Sequence, residues 1–328
     1  MDIDIYGFRE PPFQMTPDPR LFFPSTVHSR AYAHLLYGLS QREGFVVVTG
    51  EVGAGKTTLI ERLCAEIAPK GHAVARVMTT QVNADDLLRL VAMSFGASPE
   101  GSKAEVLQAV VAALRHGIVE KGLRHVLIVD EAQALPVAAL EELRMLSNVT
   151  QGEQALVQVV LMGQPQLRHT LARPDLDQLR QRILAAYHLA GLTREETHLY
   201  VRHRMTSVGW TGHPAWDVEA LNLVHQFSAG IPRRINRLCA RILLGGSLEH
   251  AAVLGTELVE ATAEELEQDL GVICATEERS PPEDNTITAL RGLTERVGAL
   301  EQAVERRERM LRRLQDLVEQ VTEARRRS

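Results

Sequence analysis

The chain has 328 residues, 45% of them apolar, and a formal net charge of −6. That length exceeds one ordinary domain of roughly 100–200 residues, so two or three units are expected. The acidic balance excludes a whole-protein basic field for nucleic acid and leaves only local basic patches.

Cys64, Cys239 and Cys274 are odd in number, far apart and not in metal-ligand spacing. They read as incidental thiols of a reducing compartment. Met1-Asp2-Ile3-Asp4 is acidic and lacks the apolar core of a signal peptide. No stretch approaches the ~20 apolar residues needed to span a bilayer. A cytoplasmic protein that does not span a membrane is therefore expected.

Residues 1–43 form an N-terminal segment punctuated by Tyr6, Phe8, Pro11, Pro12, Phe13, Pro17 and Pro19. Prolines at that density prevent a long helix. A helix should follow from about Ser29 to Ser40, with Ala31, Leu35, Leu36 and Leu39 on one face. Residues 44–190 then alternate strand and helix signals. The strand runs are Phe45–Thr49, Ala73–Met78, Val126–Val129 and Val157–Met162. Ser102 with Glu105 makes a capping box for an intervening helix. Such alternation implies parallel strands covered by helices.

After about Leu189 the strand signals stop. Thr193 and Glu196 form a second capping box, and further helices are expected near Asp217, Pro232 and Thr256. Residues 191–270 thus read as a small all-helical lid. Residues 271–286, with Ser280-Pro281-Pro282, read as a linker. Over residues 287–328, Leu290, Val297, Val304, Leu311 and Val318 recur every seven residues. Leu293, Leu300, Arg307, Leu314 and Val321 make a second seam. This a/d pattern predicts a coiled coil, within a homo-oligomer or with a protein partner; the alternative is a long helix folded back on the domain.

The chemistry begins at Gly50-Glu51-Val52-Gly53-Ala54-Gly55-Lys56-Thr57, directly after a strand and before the helical run from Thr58. This is G-x-x-x-x-G-K-[ST], the phosphate-cradling P-loop. Its glycines let backbone N–H groups approach phosphates, and the helix N-terminus adds partial positive charge. Lys56 should reach the β- and γ-phosphates, and Thr57 should bind Mg²⁺. Val126–Val129 ends in Asp130-Glu131. Asp130 fits the Walker-B role in the Mg²⁺ shell, and Glu131 is placed to orient and deprotonate the attacking water.

Three further positions are candidates. Gln164, after the next strand, could touch the γ-phosphate or the water; a plain loop glutamine is the alternative. Arg182, with Arg180 second, could act as a finger on a neighbouring subunit's γ-phosphate; a solvated helix face is the alternative. In Gly230-Ile231-Pro232-Arg233-Arg234, Arg233 is favoured over Arg234 to reach the phosphates from the lid. These arginines could instead form a nucleic-acid patch.

In this order the elements resemble the AAA+ ATPase class over roughly residues 1–268. Tyr6-Gly7-Phe8-Arg9-Glu10-Pro11-Pro12-Phe13, Thr16-Pro17-Asp18-Pro19, Gly50-Glu51-Val52-Gly53, Gly163-Gln164-Pro165 and Leu179-Arg180-Gln181-Arg182-Ile183 resemble the ExeA-like, or general-secretion-pathway A, family. The resemblance implies an α/β P-loop (AAA+) fold and an oligomeric, Mg-dependent ATP hydrolase serving a bacterial secretion or envelope and exopolysaccharide export system. It implies ATP as the nucleotide, sensor roles for Gln164 and Arg233, and the finger role for Arg182. It also implies that Phe8, Pro12 and Phe13 wall the adenine; docking of the segment is their alternative role. The same core resembles transposition helpers of the TniB and TnsC type, which makes a DNA-dependent ATPase the rival expectation. The tail arginines are interleaved with glutamates, which favours a solvated coiled-coil surface over a phosphate track.

Overall fold

A computed structural model describes residues 6–16, 21–78 and 82–274, with side chains described up to residue 268. The chain divides into two units, Met1–Asp269 and Leu270–Ser328. The sheet, and the lid as far as Asp269, belong to the first. The expected coiled coil lies outside the described residues, as does most of the expected linker.

The chain opens with α1 (Thr26–Ser40), β1 (Phe45–Gly50), α2 (Lys56–Ile67), β2 (His72–Met78), α3 (Ala84–Ser94) and α4 (Lys103–Lys121). Next come β3 (Arg124–Asp130), α5 (Val137–Ser147), the two-residue strands β4 (Thr150–Gln151) and β5 (Gln154–Ala155), and β6 (Val157–Gly163). Then follow α6 (Gln166–Leu171), α7 (Asp177–Arg180) and β7 (Ile183–Leu189). The lid holds α8 (Arg194–Ser207), β8 (Ala215–Trp216), α9 (Val218–Ser228), α10 (Pro232–Leu248), β9 (Val253–Leu254) and α11 (Thr256–Cys274).

Five strands form a parallel sheet in the order β2-β3-β6-β1-β7. β1 and β6 are buried at every position, as expected of central strands covered on both faces. One face packs Leu87, Val91, Val110, Leu114, Leu140 and Leu143 from α3, α4 and α5. The other packs Ala31, Leu35, Leu59, Ile60 and Leu63 from α1 and α2. A parallel α/β sheet with helices on both faces is thus the observed core.

β7 corrects the sequence-based expectation of four strands. Ile183-Leu184-Ala185-Ala186-Tyr187 is an apolar run, but at the sheet edge the strand buries only Ala185 and Leu189. α1 also begins at Thr26, because Ser25 caps it by accepting the His28 N–H. Both capping boxes are present, at Ser102 and Thr193. The lid is not wholly helical: β8 and β9 pair through two residues each, Ala215 with Val253 and Trp216 with Leu254. Runs so short leave no periodic signal.

The lid has its own apolar core, with Tyr200, Val201, Val224, Ile235 and Ile242. The N-terminal segment completes it with Tyr6, Phe8, Phe13 and Leu21. Polar ties fix this docking. The Tyr6 hydroxyl donates to the Ala251 carbonyl (3.1 Å). Arg204 Nε donates to the Pro12 carbonyl (2.7 Å), and its Nη2 donates to the Gln14 carbonyl (3.2 Å).

Candidate functional site

The segments that follow the carboxyl ends of β1 and β3 meet the N-terminal segment and the lid on a cavity of about 740 Å³, which Gln164 after β6 does not line. Its floor is the P-loop: Gly53, Gly55, Lys56, Thr57 and Thr58 all line it. Gly53 and Gly55 have φ of +83° and +98°, a backbone that L side chains rarely adopt. Lys56, at the start of α2, is buried and donates to the carbonyls of Gly50 (2.7 Å) and Glu51 (3.0 Å). Burial lowers its pKa, against the raising pull of Glu131, Asp130 and Glu51.

At the end of β3, buried Asp130 accepts from Arg76 (2.7 Å) and from the Glu131 N–H (3.0 Å). Glu131 follows with φ of +52°, a left-handed conformation uncommon outside glycine, and it lines the cavity. Its carboxylate accepts from Gln133 Nε2 (2.5 Å) and Gln164 Nε2 (3.3 Å). Gln133 Oε1 in turn accepts the Gln164 N–H (2.9 Å). A Cβ at Gly163 would stand 2.7 Å from that Oε1, so glycine there admits the amide. Glu131, Gln133 and Gln164 therefore form one hydrogen-bonded cluster joining two strand ends.

The lid reaches the P-loop through Arg233. Its N–H donates to the Gly53 carbonyl (3.2 Å), and a Cβ at Gly53 would lie 2.2 Å from Arg233 Cβ. The Arg233 side chain lines the cavity. Arg180 is tied to Asp177 (2.5 Å) and to the Ala172 carbonyl (3.3 Å). Arg182 makes no side-chain hydrogen bond or ion pair to a described residue. Its carbonyl accepts the Phe45 N–H at the opposite end of β1 from the P-loop. At ~3.3 Å per residue that is about 17 Å away, so Arg182 does not meet its own chain's P-loop.

Phe8, Pro12 and Phe13 do not line the cavity. All three are buried: Phe8 and Phe13 pack in the lid core, and the Pro12 carbonyl accepts from Arg204 of the lid. Leu21, Phe22 and Phe23, with Met15 and Tyr200, form the apolar wall instead, and Asn236 adds an amide beside them. Arg62 from α2 lies over the Phe22 ring, 5.4 Å from its centroid. The Phe22-Phe23 pair is visible in the sequence, but nothing local separates it from the nearby Phe8 and Phe13. Gln133 and His28 carry no sequence signal of a site either. His28 lines the cavity from α1, whose pattern is only that of an amphipathic helix.

Comparison with known proteins places this arrangement. A family model described as "AAA domain" matches residues 39–171. The chain is 39% identical over 247 residues to general secretion pathway protein A of Aeromonas hydrophila, covering 74% of this chain and 44% of that protein. The chain belongs to the ExeA-like AAA+ family. The match spans less than half the length of that relative. Nucleoside-triphosphatase THEP1 of Thermococcus kodakarensis is 28% identical over 137 residues, 35% of this chain and 74% of that one. Among solved structures, Cdc6p of Pyrobaculum aerophilum superposes with a TM-score of 0.58 at 16% identity, covering 76% of this chain and 71% of that one. The Aeropyrum pernix ORC1 protein in complex with DNA gives 0.56 at 18% identity, covering 80% and 70%. These two likenesses are of fold.

Proposed function

We propose that this ExeA-like chain binds ATP at the P-loop and hydrolyses it in a Mg-dependent reaction within a homo-oligomer. The observation that carries this reading is the meeting of opposite chemistries on one cavity. Lys56 and the positive-φ glycines offer an anion cradle, and Glu131 faces the same space with its carboxylate held by two amides.

The cradle fits phosphates: the P-loop runs directly into the α2 N-terminus, and Gly53 and Gly55 hold positive φ where a Cβ would collide with Arg233 or His28. The donor set also fits Mg²⁺, since the Thr57 hydroxyl and the Asp130 carboxylate are hard oxygens. Among the described residues no cluster of three or more His, Cys, Asp and Glu forms a separate metal site. Mg²⁺ bound there would neutralise charge on the phosphate oxygens. In this reading Glu131 takes a proton from the attacking water, and Gln164 fixes the orientation of Glu131. Arg233 brings positive charge from the lid. Phe22, Phe23 and Tyr200 provide an apolar berth for the base. Arg182, too far from its own P-loop, serves the neighbouring subunit's γ-phosphate.

The relative's role in general secretion makes a bacterial secretion or envelope-export apparatus the favoured setting, in the cytoplasm, with the C-terminal heptads as partner contact. No described helix is long and apolar enough to cross a membrane. Steady-state ATPase activity measured against protein concentration, with and without duplex DNA, tests the reading. Specific activity should rise with concentration in the absence of DNA. Activity that appears only with DNA would move the assignment to the transposition-helper class. Absence of turnover in every condition would reject hydrolysis. Arg182→Ala should abolish the concentration-dependent rise, and mixing it with Lys56→Ala chains should restore part of it.

A further inference from the structure

Beneath the P-loop lies a buried pair that the hydrolysis chemistry does not use. Ser25 caps α1, and its Oγ accepts the His28 N–H at 3.2 Å. The same Oγ lies 2.7 Å from His28 Nδ1, and His28 Nε2 lies 3.0 Å from the Ala54 carbonyl oxygen. Ser25 is 2% exposed and His28 7%. A carbonyl has no proton to give, so Nε2 must carry the hydrogen and donate. In the neutral ring Nδ1 is then the acceptor, and the Ser25 hydroxyl donates to it. Burial lowers the His28 pKa, which favours that neutral ring.

Ala54 sits in the middle of the P-loop. Its peptide with Gly55 is planar and trans, so the Ala54 C=O and the Gly55 N–H point in opposite directions. A carbonyl held on His28 therefore fixes this peptide and turns the Gly55 N–H away from the imidazole. The ring also fills the space under the loop: a Cβ at Gly55 would stand 2.4 Å from His28 Nε2. One residue after Ser25, the Thr26 N–H donates to Glu196 (2.6 Å), the capping-box residue of lid helix α8.

We propose that His28 is a positioning residue for nucleotide binding: its Nε2–H holds the Ala54 carbonyl so that the Gly55 N–H is preset for a phosphate. Through Ser25 and Thr26 it ties the order of the P-loop to the docking of α1 on the lid. This rests on the reading of the cavity as a nucleotide site.

The test is equilibrium binding of ADP to the full chain, with kcat and KM for ATP and the unfolding midpoint measured alongside. His28→Ala should weaken ADP binding by about tenfold and raise KM similarly, the value of one directed hydrogen bond to a charged group. Its kcat at saturating ATP should stay within about threefold of wild type. His28→Gln, whose Nε2 can occupy the place of the imidazole Nε2, should recover most of the loss. His28→Asn, whose amide mimics Nδ1 instead, should not. If the alanine variant fails to fold, the contrast between Gln and Asn decides. Wild-type affinity in His28→Ala, or equal binding by Gln and Asn, overturns the proposal. A wild-type chain that binds no ADP overturns the nucleotide reading itself and this proposal with it.

Discussion

The sheet core and the lid build one cavity from different materials. The core brings charge: Lys56, Glu131 and the backbone of the P-loop, each set at the end of a strand. The lid and the N-terminal segment bring mainly apolar wall, with Phe22, Phe23 and Tyr200. Their assembly differs too. Core residues are placed by neighbours along the same strand or turn, whereas the lid wall depends on contacts that close long loops. Arg204 meets Pro12 across 192 positions, and Tyr6 meets Ala251 across 245. The core should therefore govern chemistry, and the lid contact should govern affinity and stability.

The largest separation should come from Glu131→Gln. It keeps the shape of the cavity and removes the base, so turnover should fall by roughly 10²–10⁴-fold while ATP binding persists. Single-turnover hydrolysis checks it, and unchanged turnover would remove Glu131 as the base. Arg204→Ala attacks the other region. It takes away two charge-assisted bonds to the Pro12 and Gln14 carbonyls, at a cost of about 3 kcal/mol. Denaturant unfolding should register that loss, with weaker nucleotide binding but nearly unchanged kcat at saturation. A collapse of kcat instead would erase the proposed division of labour.

A smaller effect sharpens the comparison on the core side. His125, the second residue of β3, lies 3.2 Å from the Leu156 carbonyl and against Phe95. Burial lowers its pKa from the ordinary 6.5, outweighing the raising effect of that hydrogen bond. The unfolded chain then binds more protons than the folded one as pH falls from about 6.5, so stability must fall with pH in that window. For this group alone the slope is at most about 1.4 kcal/mol per pH unit. Unfolding midpoints at pH 7.5, 6.5 and 5.5 in wild type and His125→Gln would show it; equal slopes would dismiss His125 as the source. The smallest change should be Tyr200→Phe. It keeps the ring on the wall and deletes only the hydroxyl bond to Asn236 (2.8 Å), at a cost of about 1 kcal/mol.

The parts whose physics is local were legible along the chain. A P-loop is a run of eight residues between a strand and a helix, and its glycines announce the backbone they need. The apolar runs of β1, β3 and β6 are continuous because both faces are covered, so periodicity found them. The capping boxes at Ser102 and Thr193 span four residues each. Which aromatics wall the cavity was settled by long-range packing. Phe8, Phe13, Phe22 and Phe23 share one short segment, and the lid core takes the first two while the cavity takes Phe22 and Phe23. Such packing decided β7 as well: Ile183–Tyr187 is a short apolar run that suits a helix or a strand, and pairing with β1 makes it a strand. The same holds for Gln133 on Gln164 and His28 on Ala54: each is an ordinary residue in its own helix or turn, and its role arises where separate strand and helix ends are brought within hydrogen-bond reach.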